Sequence, residues 1–121
     1  MAAVSKELEE LAPYLKAVRG YPPLSRKEEH ALALRVRRGD LSARQKLVQH
    51  NLAFVLTIAL KQRRGALRLD DLVQEGNLGL LRAVEKFDPH AGTRFLTYAT
   101  WWIRAYMDCF QPVHGTVTLR V

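Results

Sequence analysis

Residues 70–104 read DDLVQEGNLGLLRAVEKFDPHAGTRFLTYATWWIR. This stretch decides the fold. It predicts two helices with a short stop between them. In the first, Leu72, Val73, Leu80, Ala83, Val84 and Phe87 return at helical spacing and supply a buried side. Asp70 is the expected N-cap, with Asp71 and Glu75 favourably placed near the positive end of the helix dipole. Gly76 and Gly79 sit inside this helix, where each costs about 1 kcal/mol relative to alanine. Close approach of another helix would compensate. Asp88-Pro89 ends the helix, because a residue before proline avoids helical angles. The second helix starts near Thr93–Leu96 and runs to about Gln111, with Pro112 as its limit.

The two helices differ in surface chemistry. On the first, Asp71, Gln74, Glu75, Asn77 and Leu81 cluster on one side, a carboxylate-and-amide patch that suits a basic partner. On the second, Phe95, Tyr98, Trp101, Trp102, Tyr106 and Phe110 form an aromatic ladder interleaved with Thr93, Arg94, Thr97, Thr100 and Arg104. Adjacent tryptophans point about 100° apart on a helix, so they cannot share one narrow core face. Aromatics mixed with Arg and Thr suit unstacked bases, each stack being worth about 1–3 kcal/mol. Both patterns have a plainer reading, a solvated helix face and a core stripe.

Outward from this stretch, the chain continues as helix. Val4, Leu8, Leu11, Leu15 and Val18 make an amphipathic segment that Pro13 interrupts, so a break or a first-turn position is expected there. Gly20 and Pro22-Pro23 force a turn. Ser25-Arg26-Lys27-Glu28 is a capping box opening a helix to about Arg38, with Ala31, Leu34 and Val36 inward and Gly39 past its end. Asp40 or Ser42 caps a longer helix over about 41–63, nearly all apolar from Leu52 to Leu60 and therefore central, ended by Arg63-Arg64-Gly65. Gly115 and the alternating Val117, Leu119 and Val121 suggest an extended tail. The expected architecture is all-α, a compact bundle of four to five helices with no sheet. Its expected divisions are an N-terminal segment and turn over 1–24, a helical domain over 25–111 and a tail over 112–121.

Composition narrows the function. The 121 residues hold one modest core, and 48% hydrophobic content argues for a folded chain. The net charge of +7 is uneven: from Arg35 to Arg68 nine basic residues face the single acid Asp40, and from Asp70 to Asp88 five acids face Arg82 and Lys86. One stretch suits a polyanion and the next a basic protein surface. The single cysteine, Cys109, excludes an internal disulfide and a cysteine-rich metal site. His30, His50, His90 and His114 are scattered and match no metal-ligand spacing. No Ser-His-Asp set, phosphate loop or dinucleotide fingerprint is present. The reading is a cytoplasmic, non-enzymatic protein with no cofactor, no metal and no membrane partner.

The stretch from Leu69 to Arg104 strongly resembles the second domain of the major bacterial sigma factors, the sigma-seventy family, which give RNA polymerase its promoter specificity. The resemblance extends back through NLAFVLTIALKQRRG (51–65) and PPLSRKEEHALALRVRRGDLSARQKLV (22–48), covering about Tyr14 to Arg104. Tyr21-Pro22 before Pro23-Leu24-Ser25 is reminiscent of the heat-shock branch. The resemblance implies that Asp71, Gln74, Glu75, Asn77 and Leu81 dock on the coiled coil of the polymerase β′ clamp. It implies that Phe87, Asp88, Arg94, Phe95, Thr97, Tyr98, Trp101 and Trp102 capture the non-template strand of the minus-ten promoter element, with Arg104 among the basic residues beside them. Promoter opening would then proceed by binding, a flipped base exchanging its stack for a pocket. An anti-sigma factor is a further candidate partner.

Several residues depart from the family's pattern. Thr93 stands where many relatives carry an aromatic, and Ala53 and Leu60 where basic residues are usual. One to nearly two turns after Trp102, Ala105 and Asp108 stand where housekeeping members use a glutamine and a threonine on the duplex edge of the minus-ten element. Alanine cannot read a base edge. Later sigma domains, which would follow the tail, are expected to be absent from this chain. These departures keep two alternatives open: a sigma-like interaction module that occupies the clamp or an anti-sigma factor without promoter recognition, and a general basic single-strand binder.

Overall fold

A computed structural model of the chain describes residues 2–63, 68–113 and 116–119, with side chains at Glu9 and over 11–63 and 68–109. The chain forms α1 (Ala2–Arg19), α2 (Arg26–Arg37), α3 (Leu41–Gln49), α4 (Leu52–Gln62), α5 (Leu69–Lys86) and α6 (Phe95–Cys109). A short antiparallel hairpin follows, β1 (Phe110–Val113) and β2 (Thr116–Leu119), with Phe110 opposite Leu119 and Val113 opposite Thr116. The fold is all-α through residue 109. The terminal hairpin corrects the expectation that no strands pair, and α6 ends two residues before the expected Gln111. The alternating tail residues Val117 and Leu119 lie in β2; Gly115 and Val121 fall outside the described residues.

Local rules account for most boundaries. Ser25 Oγ accepts from the Glu28 amide at 3.1 Å, and Glu28 Oε1 accepts from the Ser25 amide at 2.9 Å, so the capping box is complete. The helix-capping amide bond holds the Glu28 carboxyl below its usual range. Gly39 adopts φ 87° between α2 and α3, a conformation that favours glycine. Asp40 caps α3 by accepting from the Ala43 amide at 3.1 Å while pairing with Arg35 at 2.9 Å.

Four expectations are corrected. α1 runs through Pro13 without a break. Its inward residues on either side, Leu11, Tyr14 and Val18, pack on the bundle, which outweighs one missing hydrogen bond. In α2 the buried residues are Glu29, Leu32 and Ala33; Ala31 is exposed and Leu34 and Val36 half-buried. The single helix expected over 41–63 is two. Asn51 Nδ2 donates to the Leu47 carbonyl at 2.7 Å, taking the acceptor a continuous helix would use. His50 Nδ1 donates to the Pro22 carbonyl at 2.7 Å, anchoring the break to the α1–α2 turn. Finally, Asp70 lies inside the first turn of α5, where Tyr14 donates its hydroxyl to it at 2.8 Å; Arg68 occupies the N-cap position. The stop after α4 falls partly on residues 64–67, outside the described ones.

The core is one cluster. Val55, Ile58 and Ala59 of α4, Leu72, Val73, Leu80 and Ala83 of α5, and Phe95, Ala99, Ile103 and Met107 of α6 are all buried. α5 and α6 meet through the two glycines. A Cβ at Gly79 would lie 2.6 Å from the Trp102 carbonyl oxygen and 2.9 Å from Ile103 Cα. At Gly76 it would run into Met107 Cε and come within 2.7 Å of Val55 Cγ1. The conformational cost of these glycines is offset by backbone-close packing within the bundle.

Candidate nucleic-acid and partner-docking faces

Back-to-back packing of α5 and α6 leaves each helix an outer face. On α5, Gln74 is exposed and Asp71, Glu75 and Leu81 are half-buried. Desolvation, and then the Asp71 charge one turn away, push the Glu75 carboxyl above its usual range. Asn77 is half-buried, and its Oδ1 is shut from solvent without a hydrogen-bond partner. Leu78, 48% exposed, lies four residues from Gln74 and three from Glu75 and so joins this face. Reading the sequence missed it, because an aliphatic residue beside Leu80 and Leu81 looks inward. Its spacing from Gln74 was the available signal.

Further along α5, Arg82 donates to Tyr106 Oη of α6 at 3.1 Å and pairs with Glu85 at 3.4 Å. Arg44 of α3 reaches the same Glu85 at 2.8 Å. These pairs tie α3, α5 and α6 together at the surface.

On α6 and at the end of α5 the expected strand-holding residues divide into layers. Phe95 (0% exposed) and Phe87 (5%) are core residues, packed edge to face at 5.2 Å. Tyr98 rests on Phe87 at 5.6 Å and is half-buried. Trp102 lies 6.5 Å from both Tyr98 and Tyr106, half-buried, with an indole N–H that is buried and has no acceptor. Trp101 stands edge-on to Trp102 at 5.4 Å and is 67% exposed, the largest such surface aromatic among the described residues. Thr97 and Arg104 are exposed alongside. The ladder therefore climbs from core to surface: Phe87 and Phe95 beneath, Tyr98 and Trp102 at half depth, Trp101 outermost. The ring of Phe110 lies outside the described side chains.

Two expected residues have intramolecular tasks. Asp88 Oδ1 accepts from the His90 amide at 2.9 Å, shaping the α5–α6 turn. Arg94 donates to both oxygens of Glu29 in α2, from Nε at 3.1 Å and Nη2 at 3.2 Å. The Glu29 carboxylate raises the Arg94 pKa further above its ordinary value. By position Glu29 is one more carboxylate in the first turn of α2, yet it is 6% exposed and is the buried charged residue of the described core. Nothing local signals that role, since its partners are 65 and 66 residues away.

Two clefts open on either side of this ion pair. One, about 470 Å³, has Phe87 and Pro89 as its floor and Arg26, Lys27, His30 and Thr93 on its rim. The other, about 240 Å³, lies among Leu24, His50, Asn51, Phe54, Thr57 and Leu96. The exposed Thr93 and Ala53, at positions where the sequence departs from the pattern it resembles, line one cleft each. No group of three metal-ligating side chains occurs among the described residues, and no described helix is long and apolar enough to cross a membrane.

Comparison with known proteins agrees with this architecture. The Sigma-70 region 2 family model matches residues 47–107, and the Sigma-70 factor, region 1.2 model matches residues 14–42. The chain is 47% identical over 98 residues to an RNA polymerase sigma-C factor of Myxococcus xanthus, covering 81% of this chain and 33% of that protein. It is 56% identical over 92 residues to the RNA polymerase sigma factor SigA of Clostridium acetobutylicum, covering 75% of this chain and 24% of the relative. It is 52% identical over 95 residues to the RNA polymerase sigma factor RpoS of Coxiella burnetii, covering 78% and 27%. The chain thus spans about a quarter to a third of the length of these relatives.

Proposed function

This chain belongs to the sigma-70 family, and from that premise we propose that it binds core RNA polymerase and captures the melted non-template strand of the minus-ten promoter element. Asp71, Gln74 and Glu75, joined by Leu78 and Leu81, form the docking face on α5 for the coiled coil of the β′ clamp. Tyr98, Trp101 and Trp102 form the strand face on α6, with Thr97 and Arg104 beside them. Phe87 and Phe95 support the rings from below without touching the strand.

The observation that carries this reading is the rooted ladder. Trp101 is 67% exposed, yet it stands edge-on to Trp102, which in turn leans on Tyr98 and Tyr106. A surface tryptophan with no core task, held in a fixed orientation beside exposed Thr97 and Arg104, suits stacking of unpaired bases. Because α5 packs backbone-close on α6 at Gly79, a partner seated on one face and a strand on the other would be held in fixed relation. Transcription would start through binding energy alone, the pocket replacing base stacking lost on melting.

The test mixes the chain with core polymerase and a labelled non-template oligonucleotide of minus-ten sequence. Retention of the oligonucleotide on the complex, and not on the chain alone, is the expected result. A complex that forms without retaining it would favour the second reading, a module that occupies the clamp or an anti-sigma factor. That reading draws on Ala105, which offers no base-reading group one turn beyond Trp102, and on the exposed acid Asp108 nearly two turns beyond it. Binding of any single strand without polymerase would instead indicate a general single-strand binder.

A further inference from the structure

The first turn of α6 has no cap of its own. The Arg94 carbonyl accepts the first helical bond, from the Tyr98 amide at 3.3 Å, which places Arg94 at the N-cap. An arginine side chain has no acceptor, so it cannot satisfy the free amides there. The acceptor comes from another helix. Glu29 Oε2 takes the Phe95 amide at 3.0 Å while both its oxygens hold the Arg94 guanidinium. Arg94 Nη2 also donates to the Leu24 carbonyl at 3.4 Å. The Glu29 side chain is 8% exposed and that of Arg94 38%. A carboxylate at a helix N-terminus is favoured by the dipole, and a two-point pair fixes orientation as well as charge.

We propose that Glu29 is the positioning residue of the strand-capturing helix: it caps α6 from α2 and holds Arg94 back from the strand. This rests on reading α6 as the strand face. A phosphate could engage Arg94 fully only by displacing Glu29, which would leave a buried carboxylate without its charge partner. The pair is also the wall shared by the two clefts beside α6, so its loss would merge or distort both. Arg94 then serves capture by position, in contrast to the direct part in strand capture that the family resemblance implies for it.

Salt dependence separates the two roles, because each phosphate contact to a single strand contributes about 0.7 to the slope of log affinity against log salt. Oligonucleotide capture by the chain bound to core polymerase would be measured between low and moderate salt for the native chain and for Arg94→Gln. A fivefold or greater loss of affinity with an unchanged slope is expected. A slope reduced by about 0.7 would show that Arg94 contacts a phosphate and would overturn the proposal. Amide hydrogen exchange on the free chain tests the cap without any strand. Glu29→Ala is expected to speed exchange at Phe95 at least tenfold, and Glu29→Gln, which keeps an acceptor, to restore protection to within threefold of native. Native protection at Phe95 in Glu29→Ala would overturn the cap. Should Glu29→Ala fail to fold, the Gln variant and the Arg94→Gln slope decide the matter. If the native chain captures no oligonucleotide, the strand reading falls, while exchange at Phe95 still decides whether Glu29 caps α6.

Discussion

The outer faces of α5 and α6 are built in opposite ways. On α5 the polar groups stand on a helix whose other side fills the core, so Asp71, Gln74 and Glu75 can change without disturbing Leu72, Val73 or Leu80 behind them. On α6 the exposed ring is the top of a stack whose lower members, Phe87 and Phe95, are core residues. The first face is separable from the fold, and the second is continuous with it. A polar docking patch needs only presentation. A ring that must hold a base in one orientation needs support beneath it, and that support is the hydrophobic core.

The most damaging test attacks the place where both faces depend on one contact. Gly79→Ala gains about 1 kcal/mol of helix propensity. It also sets a methyl against the Trp102 carbonyl and Ile103 Cα, backbone atoms that cannot turn aside. Overpacking wins, and a net loss of about 3 kcal/mol is expected by chemical denaturation, with docking and strand capture lost together. Gly76→Ala should cost less, because the tip of the flexible Met107 side chain and Val55 Cγ1 are the atoms in its way. Equal losses at the two positions would mean that α5 and α6 can slide apart.

Tyr98→Ala comes next, and it probes the continuity of the α6 face. Removing one stacking ring should lower oligonucleotide capture by about 1–3 kcal/mol, roughly fivefold or more, with clamp docking unchanged within twofold. Loss of the cooperative unfolding transition in this variant would make Tyr98 a core residue only, and the ladder would end one step lower. Asp71→Ala with Gln74→Ala is the matched probe of α5. Polymerase binding should weaken about tenfold, about 1.4 kcal/mol, while the denaturation midpoint stays within a few degrees of native. Unchanged polymerase affinity would remove the docking assignment and leave the patch a solvated surface.

This contrast also marks where sequence could be read. Features governed by neighbours within one turn were legible: the Ser25–Glu28 box, the left-handed Gly39, the Asp40 cap, the Asp88-Pro89 stop. So was the buried side of α5, all six of whose expected core residues are buried, because hydrophobic periodicity is local information. What stayed hidden was settled between distant residues. The α3–α4 break depends on His50 reaching the Pro22 carbonyl, and the α5 start on Tyr14 claiming Asp70. The depth of each ring in the ladder, and the Glu29 cap on α6, follow from packing that no spacing rule encodes. The α5 patch was therefore easier to name than the α6 one.

The finest test of the contrast concerns Glu75. Burial first and Asp71 second push its carboxyl above the usual range. A raised pKa in the folded state means that the folded chain holds this proton more tightly than the unfolded chain. Below the unfolded pKa both states are protonated and the charge costs nothing. As pH rises through the folded pKa, that advantage is lost, and at neutral pH the ionised Glu75 opposes folding. Like charges one turn apart cost about 0.2–0.5 kcal/mol. Glu75→Gln should therefore be more stable than native by about that amount at neutral pH, and equal to it at a pH below the carboxylate range, in paired denaturation curves. The same substitution should weaken polymerase docking. A residue that costs stability alone and contributes only when a basic partner arrives is what a separable docking face requires. If Glu75→Gln leaves neutral-pH stability unchanged or lowers it, Glu75 belongs to the fold, and α5 is as continuous with its core as α6.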